Sequence, residues 1–404
     1  MNKFLLFTLL IIASPIFSQS GWIQQPNPAG SQTLLGVCFA DANTGYVCGV
    51  NGIILKTTNG GANWNQLVTG TTRFIRSICL SDANTVSAAG ELGLILRTTN
   101  GGTNWITQTS GTPNTFVNIS FLNELIGTVV GLSGTICRTT NGGTSWSLQS
   151  SGIFAELTGV QFVNANTGFI SGFEGAILKT TNGGTNWLPT PGAATGELRA
   201  VNFVNENTGY IAGIGGSILQ TTNAGTNWST LTSGVSTSLY SVFFINSSTG
   251  FASGSGTILR TSNNGASWQN QQIGISGDLY SIQFINENTG FAVGQNGVIL
   301  KTIRSGVGIN QISSHVPEKF TLYQNYPNPF NPSTKIKFSI PKNSEITISI
   351  FDSNGKQIES INNGMTSAGN YEFEWNAENL SSGAYYYKIS SNDFTETKKM
   401  ILLK

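Results

Sequence analysis

The sequence predicts an all-β protein, a seven-bladed β-propeller whose last blade is completed by an N-terminal strand, followed by an immunoglobulin-like β-sandwich. Two observations carry the propeller prediction. A unit of about 41 residues occurs seven times, and six copies end in a T-x-N-x-G-x-[NS]-W turn. The seventh copy stops at Thr302 without a tryptophan, while an unmatched Trp22 stands near the start of the chain. A closed ring explains this arrangement because its first and last units must meet.

Each repeat has the pattern of four short strands joined by tight turns, most plainly in repeat four. Alternating apolar residues at 157–163 predict a first strand (A). A polar turn follows, and residues 169–172 predict a second strand (B). Residues 176–180 predict strand C, and Trp187 opens strand D after an Asn-Gly-Gly turn. Four strands at spacings of about 8–12 residues, repeated in tandem, are typical of propeller blades.

Two kinds of aromatic side chain recur and are expected to pack between blades. Strand A carries a V/I-x-F pattern in most repeats, and a tryptophan marks the start of strand D. Since a buried aromatic side chain covers roughly 150–250 Å², we interpret the tryptophans as core residues. They are Trp22, Trp64, Trp105, Trp146, Trp187, Trp228 and Trp268. Residues 22–25 are predicted to pair, as a strand D, with strand C of repeat seven at 298–302.

The turn motif resembles the Asp-box of sialidase-type propellers, with asparagine replacing the usual aspartate. The six asparagines are Asn59, Asn100, Asn141, Asn182, Asn223 and Asn263. This resemblance implies a structural turn that lies away from the ligand face. Over residues 22–304 the whole repeat is similar to that of the photosystem II assembly and stability factors, which implies a protein-binding scaffold used in assembly.

The N-terminus has the pattern of a secretory signal peptide at residues 1–18, ahead of a propeller at 19–304. Lys3 supplies a positive charge, residues 4–13 are apolar, and small residues precede a cleavage site before Gln19. The apolar run is too short to span a membrane, and no later segment is apolar enough. The mature protein is therefore expected to be exported and to have no transmembrane segment.

The C-terminal part differs in composition from the repeats. Residues 305–320 are interpreted as a linker and include the only histidine, His315. Residues 321–404 contain YPNPFNPST, alternating strands and a basic-apolar tail. They resemble the type A sorting domain of the type IX secretion system of Bacteroidetes. The resemblance implies that the secretion machinery is a partner and that the protein is secreted or attached to the surface of a Gram-negative cell, although a secretion tag argues against a photosynthetic role. An ordinary adhesion domain is the alternative.

Charge and cysteine content set further bounds. The net charge is +1, so we expect no nucleic-acid partner. We also expect the protein to be a monomer. Four cysteines lie in repeats one to three without the spacing of a metal site, and neither a metal nor a cofactor is expected. They are interpreted as small buried apolar residues. The alternative is a disulfide between Cys38 and Cys48, placed opposite each other in one hairpin.

A candidate binding face lies where strand A begins, nearest the central channel. That position varies while its neighbours repeat, in the order Leu35, Arg76, Val117, Thr158, Arg199, Tyr240 and Tyr280. We expect a ligand site formed by Arg76, Arg199, Tyr240 and Tyr280, rimmed by Glu91, Phe173 and Glu174. Tyrosines stack on sugars or peptides, and arginines bind carboxylates. A solvated rim without a specific ligand is the alternative.

The predicted function is non-catalytic binding of a protein or glycan at or outside the cell surface. Residues 1–304 contain no histidine, which excludes a Ser-His-Asp triad there. A polysaccharide-active glycoside hydrolase or sialidase-like enzyme is the alternative. It needs two carboxylates about 5–10 Å apart, for which Glu91 with Glu174, or Glu197 with Asp278, are the candidate pairs.

A second set of charged residues occurs once per repeat, just before the threonine of the turn motif. Its regularity favours a structural role, with hydrogen bonds at the strand end, over a basic binding ring. The set is Lys56, Arg97, Arg138, Lys179, Gln220, Arg260 and Lys301.

Overall fold

The computed structural model describes residues 21–190, 196–271, 273–286, 289–302, 310–313, 315–377 and 380–404. The predicted signal peptide lies outside them. The chain divides into two compact units, Gly21–Gly308 and Ile309–Lys404.

The first unit consists of seven four-stranded antiparallel sheets, and each sheet is one blade with its strands in the order A-B-C-D. Strand D of blade seven is β1. The strands are β1 (Trp22–Gln24), β2 (Leu34–Phe39), β3 (Gly45–Gly49), β4 (Ile54–Thr57), β5 (Asn65–Leu67), β6 (Ile75–Leu80), β7 (Val86–Gly90), β8 (Ile95–Thr98), β9 (Ile106–Gln108), β10 (Phe116–Phe121), β11 (Gly127–Gly131), β12 (Ile136–Thr139), β13 (Ser147–Gln149), β14 (Leu157–Phe162), β15 (Gly168–Gly172), β16 (Ile177–Thr180), β17 (Leu188–Pro189), β18 (Leu198–Phe203), β19 (Gly209–Gly213), β20 (Ile218–Thr221), β21 (Ser229–Leu231), β22 (Leu239–Phe244), β23 (Gly250–Gly254), β24 (Thr257–Thr261), β25 (Gln269–Gln271), β26 (Leu279–Asn286), β27 (Thr289–Gly294) and β28 (Ile299–Thr302).

A short 3-10 turn joins strands B and C in six blades. Blade six connects them through Ser255 and Gly256 alone, which accounts for its 40-residue repeat. The turns are Val50–Gly52, Glu91–Gly93, Leu132–Gly134, Phe173–Gly175, Ile214–Gly216 and Gln295–Gly297.

The N-terminal strand closes the ring as predicted. In β1, Trp22 pairs with Thr302 and Gln24 pairs with Leu300 of β28. Trp22 is 5% exposed and packs edge-on against Phe284, with ring centroids 5.8 Å apart. The first and last repeats therefore share one sheet, and this pairing joins the two ends of the ring.

The threonine and asparagine of the turn motif form hydrogen bonds that stabilise each C–D hairpin turn. In blade one the Thr57 hydroxyl donates to Asn59 Oδ1 at 3.0 Å and accepts the Gly61 N–H at 2.9 Å. Asn59 Oδ1 also accepts the Asn63 N–H at 2.9 Å. The same three bonds recur at Asn100, Asn141, Asn182, Asn223 and Asn263.

Neighbouring blades pack through stacked flat groups. The Phe that ends strand A is covered by a group from the preceding blade. In four interfaces this group is an aromatic ring of strand B, for example Phe291 on Phe39 with centroids 4.0 Å apart. Strand B of blade three instead carries Thr128, and the guanidinium of Arg138 lies 4.2 Å from the centroid of Phe162. Arginine thus takes the place of the missing ring.

The second unit is a β-sandwich of two four-stranded sheets, with strand orders β29-β34-β31-β30 and β33-β32-β35-β36. The first strand of this sandwich, β29, lies in the segment that was predicted to be a linker. It pairs with β34 at the edge of one sheet, so this part of the segment belongs to the sandwich. The strands are β29 (Asn310–Ser313), β30 (Thr321–Leu322), β31 (Ser333–Ile340), β32 (Ser344–Phe351), β33 (Gln357–Thr366), β34 (Gly369–Asn376), β35 (Gly383–Ser390) and β36 (Thr395–Leu402).

All four cysteines are free thiols. The alternative of a Cys38–Cys48 disulfide is wrong, because the two residues are not opposite each other. Cys38 pairs with Tyr46 and Cys48 pairs with Gly36. Burial raises the pKa of the Cys79 and Cys137 thiols to about 12, which keeps them protonated and unreactive.

Candidate binding site at the channel mouth

A β-bulge at the start of strand A shapes the mouth of the central channel. In blade two, Ile75 pairs with Gly90 and Ser77 pairs with Ala89, so Arg76 is an extra residue without a partner in the ladder. All seven blades have this shift. A bulge redirects the side chain of its extra residue. The seven bulged residues are the variable positions noted in the sequence: Leu35, Arg76, Val117, Thr158, Arg199, Tyr240 and Tyr280.

These seven residues line one cavity of about 720 Å³ at the centre of the ring. Deeper in the channel, polar side chains bond to the neighbouring blade: Ser77 Oγ accepts the Ile119 N–H at 3.3 Å, and Asn118 Oδ1 accepts the Val160 N–H at 3.4 Å. These bonds satisfy the inner edges of the sheets. The side chains deeper in the channel are therefore used in bonds between blades, and the side chains available to contact a ligand are those at the mouth.

An aromatic wall occupies one side of the mouth. The Tyr240 and Tyr280 rings are 5.2 Å apart and inclined at 44°. The Arg199 guanidinium carbon lies 4.6 Å from the centroid of Phe173 and 6.0 Å from that of Tyr240. The Tyr240 hydroxyl is 3.2 Å from Ser255 Oγ. Four of the predicted site residues therefore form one continuous surface.

Both arginines of the site are paired with carboxylates of the chain. Arg199 Nη2 donates to Glu197, two residues earlier in the strand entry. Arg76 Nη2 lies 3.9 Å from Glu91 Oε1, and the other oxygen of Glu91 accepts the Phe74 N–H at 3.2 Å. Glu91 thus serves as a positioning group for an arginine and a loop.

Two further carboxylates, Glu156 and Asp278, lie at the mouth. Neither belongs to the predicted binding face, and Asp278 was named only in a candidate pair for the hydrolase alternative. Asp278 accepts hydrogen bonds from Gln295 Nε2 at 3.0 Å and from the Tyr280 hydroxyl at 3.3 Å. Burial raises the pKa of the Glu156 carboxyl, Arg199 and Arg76 oppose the shift, and Glu197 adds to it. Glu156, Glu197 and Asp278 each stand two residues before a bulged position, and this spacing was the signal in the sequence.

Glu174 differs from the other predicted residues. It is exposed and holds the left-handed position of its 3-10 turn, with φ of 58°. Within the described parts of the chain, no hydrogen bond or ion pair joins it to the other candidates. Asn51, Leu92, Ser133 and Asn296 take the same backbone conformation in other blades. The left-handed conformation of Glu174 is therefore a property of the turn and does not depend on which side chain occupies the position.

The once-per-repeat polar set lies at the opposite end of the strands and has the predicted structural role. Six of its members donate to a backbone carbonyl in a turn of the next blade: Lys56 to Gly101, Arg97 to Glu124, Arg138 to Ala165, Lys179 to Ala224, Gln220 to Asn264, and Lys301 to Gly60. Arg260 holds the equivalent position in blade six. The bond from Lys301 to Gly60 joins the last blade to the first.

Among the residues that the structure describes, no group of three or more His, Cys, Asp and Glu side chains could hold a metal ion. In the same residues, no helix has the length and apolar character needed to cross a membrane.

Four-stranded blades, Asn-based turns and a central cavity define a β-propeller of the BNR-repeat class. The repeat region matches the model of the photosynthesis system II assembly factor YCF48 family over residues 15–152, 105–187, 149–239 and 234–303. The chain belongs to this family. Residues 324–403 match the secretion system C-terminal sorting domain, which indicates export from the cell.

Solved structures with the same fold include YCF48 bound to a D1 peptide, with 22% identity and a TM-score of 0.61 over 71% of this chain and 98% of that one. YCF48 from Cyanidioschyzon merolae has 22% identity and a TM-score of 0.60, with 70% and 98% of the two chains covered. The WD40 propeller of Doa1 has 14% identity and a TM-score of 0.59, with 70% and 96% covered. No curated protein matches this chain.

Proposed function

We propose that the propeller is a non-catalytic binding protein that takes a peptide segment of a partner protein at its channel mouth, at or outside the cell surface. The aromatic wall of Phe173, Tyr240 and Tyr280 carries this proposal. Aromatic side chains give large contact area with few torsions to immobilise. A YCF48 propeller has been solved with a peptide bound, which supports a peptide as the ligand. The sorting domain supports delivery of the propeller outside the cell, with the secretion machinery as its partner in export.

The hydrolase alternative has less support from the arrangement of the carboxylates. A glycosidase needs one protonated carboxyl and one free carboxylate at the reacting bond. Glu91 is held by Arg76 and a backbone N–H, Glu197 by Arg199, and Asp278 by Gln295. Because Glu91 and Glu197 are each paired with an arginine, we assign these two carboxylates positioning roles in a binding face.

The test is retention of a randomised peptide library by the immobilised protein and by a Tyr240→Ala/Tyr280→Ala variant. We expect the parent protein to retain peptides that the variant does not. Thr226→Ala/Thr185→Ala, on the opposite face, is the control and should retain them. Equal retention by all three proteins would overturn the proposal. In parallel, retarded migration through polysaccharide gels without peptide retention would favour a glycan ligand.

A further inference from the structure

The channel mouth carries more negative than positive charge. Arg76 and Arg199 are its two cations, and both lie in ion pairs with Glu91 and Glu197. Glu156 and Asp278 add two carboxylates. At the outer rim, exposed Arg73 and exposed Glu174 offset each other. The mouth therefore holds two carboxylates beyond those that the arginines neutralise.

We infer that the peptide taken at the channel mouth presents basic side chains, lysine or arginine, to the two carboxylates Glu156 and Asp278, of which Asp278 lies beside the aromatic wall. This inference rests on the proposed function and adds the chemical class of the ligand. It differs from the expectation drawn from the sequence, in which the arginines bind a carboxylate of the ligand.

The aromatic wall already accommodates a cation. The Arg199 guanidinium lies over Phe173 at 4.6 Å and near Tyr240 at 6.0 Å. Rings in this arrangement present their negative faces to the positive charge. The neighbouring Tyr280 ring, with its hydroxyl directed to Asp278 at 3.3 Å, combines an aromatic face with a carboxylate. A ligand cation at this point would meet both groups.

Glu156 supplies the second carboxylate. It lies close enough to Arg76, Arg199 and Glu197 for all three charges to act on it, and burial is the largest influence on its carboxyl. A partly buried carboxylate gains more from a new opposite charge than an exposed one does, since less water screens the pair. A ligand cation would therefore be favoured here, as the arginines are already engaged by Glu91 and Glu197.

An anionic ligand would face the opposite situation. Beside Arg199 it would meet the Glu197 carboxylate, and beside Arg76 it would meet the Glu91 carboxylate. Like charges brought together without a compensating partner are unfavourable at interfaces. The site should discriminate against peptides rich in aspartate and glutamate.

The experiment is sequencing of the peptides retained from the randomised library, relative to the input. We expect lysine and arginine to be enriched and aspartate and glutamate to be depleted. The affinity of an enriched peptide should fall as salt is raised, because exposed charges are screened. Glu156→Gln and Asp278→Asn should each lower the affinity for that peptide by up to about fivefold, which is the contribution expected of one partly exposed ion pair. Glu124→Gln makes the same charge change on the opposite face and should leave the affinity unchanged.

The outcomes separate the two proposals. Peptides lost on Tyr240→Ala/Tyr280→Ala but neutral or acidic in composition would overturn this inference and leave the proposed function standing. Basic peptides bound equally by Glu156→Gln, Asp278→Asn and the parent protein would also overturn it. No peptide retained beyond the Tyr240→Ala/Tyr280→Ala background would overturn both.

Discussion

At the residue scale, one pair of positions shows how closely strands A and B pack within a blade. The glycine that opens strand B lies under the ring of the Phe that ends strand A, and a Cβ at Gly127 would come within 2.4 Å of Phe121. The same contact occurs at Gly45, Gly168 and Gly250. Blade two has Leu80 in place of the Phe and Val86 in place of the glycine. The smaller side chain leaves the space that valine needs.

A double-mutant cycle tests this coupling. Gly127→Val alone should lower the free energy of unfolding by about 1–3 kcal/mol, since it overpacks the core. Phe121→Leu/Gly127→Val, which copies blade two, should be less destabilised than the sum of the single changes. Chemical denaturation followed by fluorescence measures all four proteins. Additive effects would contradict the coupling.

The charge of Glu156 gives a second prediction at this scale. Because burial raises the pKa of its carboxyl in the folded state, ionisation at neutral pH opposes folding, and the effect vanishes as the pH falls below the unfolded pKa. Glu156→Gln should therefore raise the melting temperature at neutral pH, by an amount that shrinks as the pH falls through the carboxyl range. Thermal denaturation across pH checks this, with Glu124→Gln as control. A melting temperature lowered at neutral pH would show that the arginines dominate.

At the element scale, strand existence could be predicted but the bulge was missed. Alternation in the sequence indicated where the strands lie, and turn residues indicated where they end. The bulge left a signal in the repeats: the first two apolar core residues of strand A, such as Ile75 and Ile78, are three apart and not two. The pairing of the mouth arginines could not be predicted, because Glu91 and Arg76 meet only through the bulge and the 3-10 turn.

The link between blades three and four gives a prediction for an element. Arg138 donates to Thr128 and to the Ala165 carbonyl while it covers Phe162. Lysine cannot reproduce that planar contact, so Arg138→Lys should cost about 1–2 kcal/mol. Thr128→Phe/Arg138→Lys recreates the Phe169 and Lys179 combination of blade four and should recover most of the loss. Urea denaturation measures both variants, and no recovery would contradict the proposed exchange of ring and guanidinium.

At the scale of the whole molecule, the ring closes because the seventh repeat takes its last strand from the N-terminus. This could be predicted from the sequence, because Trp22 and the missing last tryptophan are visible in the repeat spacing. The ligand could not be predicted from the sequence, because the seven bulged positions carry different kinds of side chain and form no recognisable motif. Charge at the mouth depends on residues from several blades, and the sequence does not show which of them meet.

Closure can be tested at Trp22. Trp22→Ala should destabilise the propeller by about 3–5 kcal/mol, the usual cost of removing a buried aromatic side chain. Trp228→Ala is the matched control in blade five, where the ring is as deeply buried, at 6% exposure, and packs edge-on against Phe203 in the same way. It should cost less, because strand D of that blade follows strand C in the chain. Thermal denaturation of the two variants measures the difference. Equal losses would indicate that the closing strand has no special weight in the stability of the ring.

The most direct measurement of the central claim is amide hydrogen exchange of the protein with and without an enriched basic peptide. Binding at the channel mouth predicts slower exchange at the D–A and B–C connections around Glu156, Glu197 and Asp278, and unchanged exchange in the Asn-containing turns at the other end of the blades. Protection confined to those turns, or spread evenly over both faces, would contradict the account.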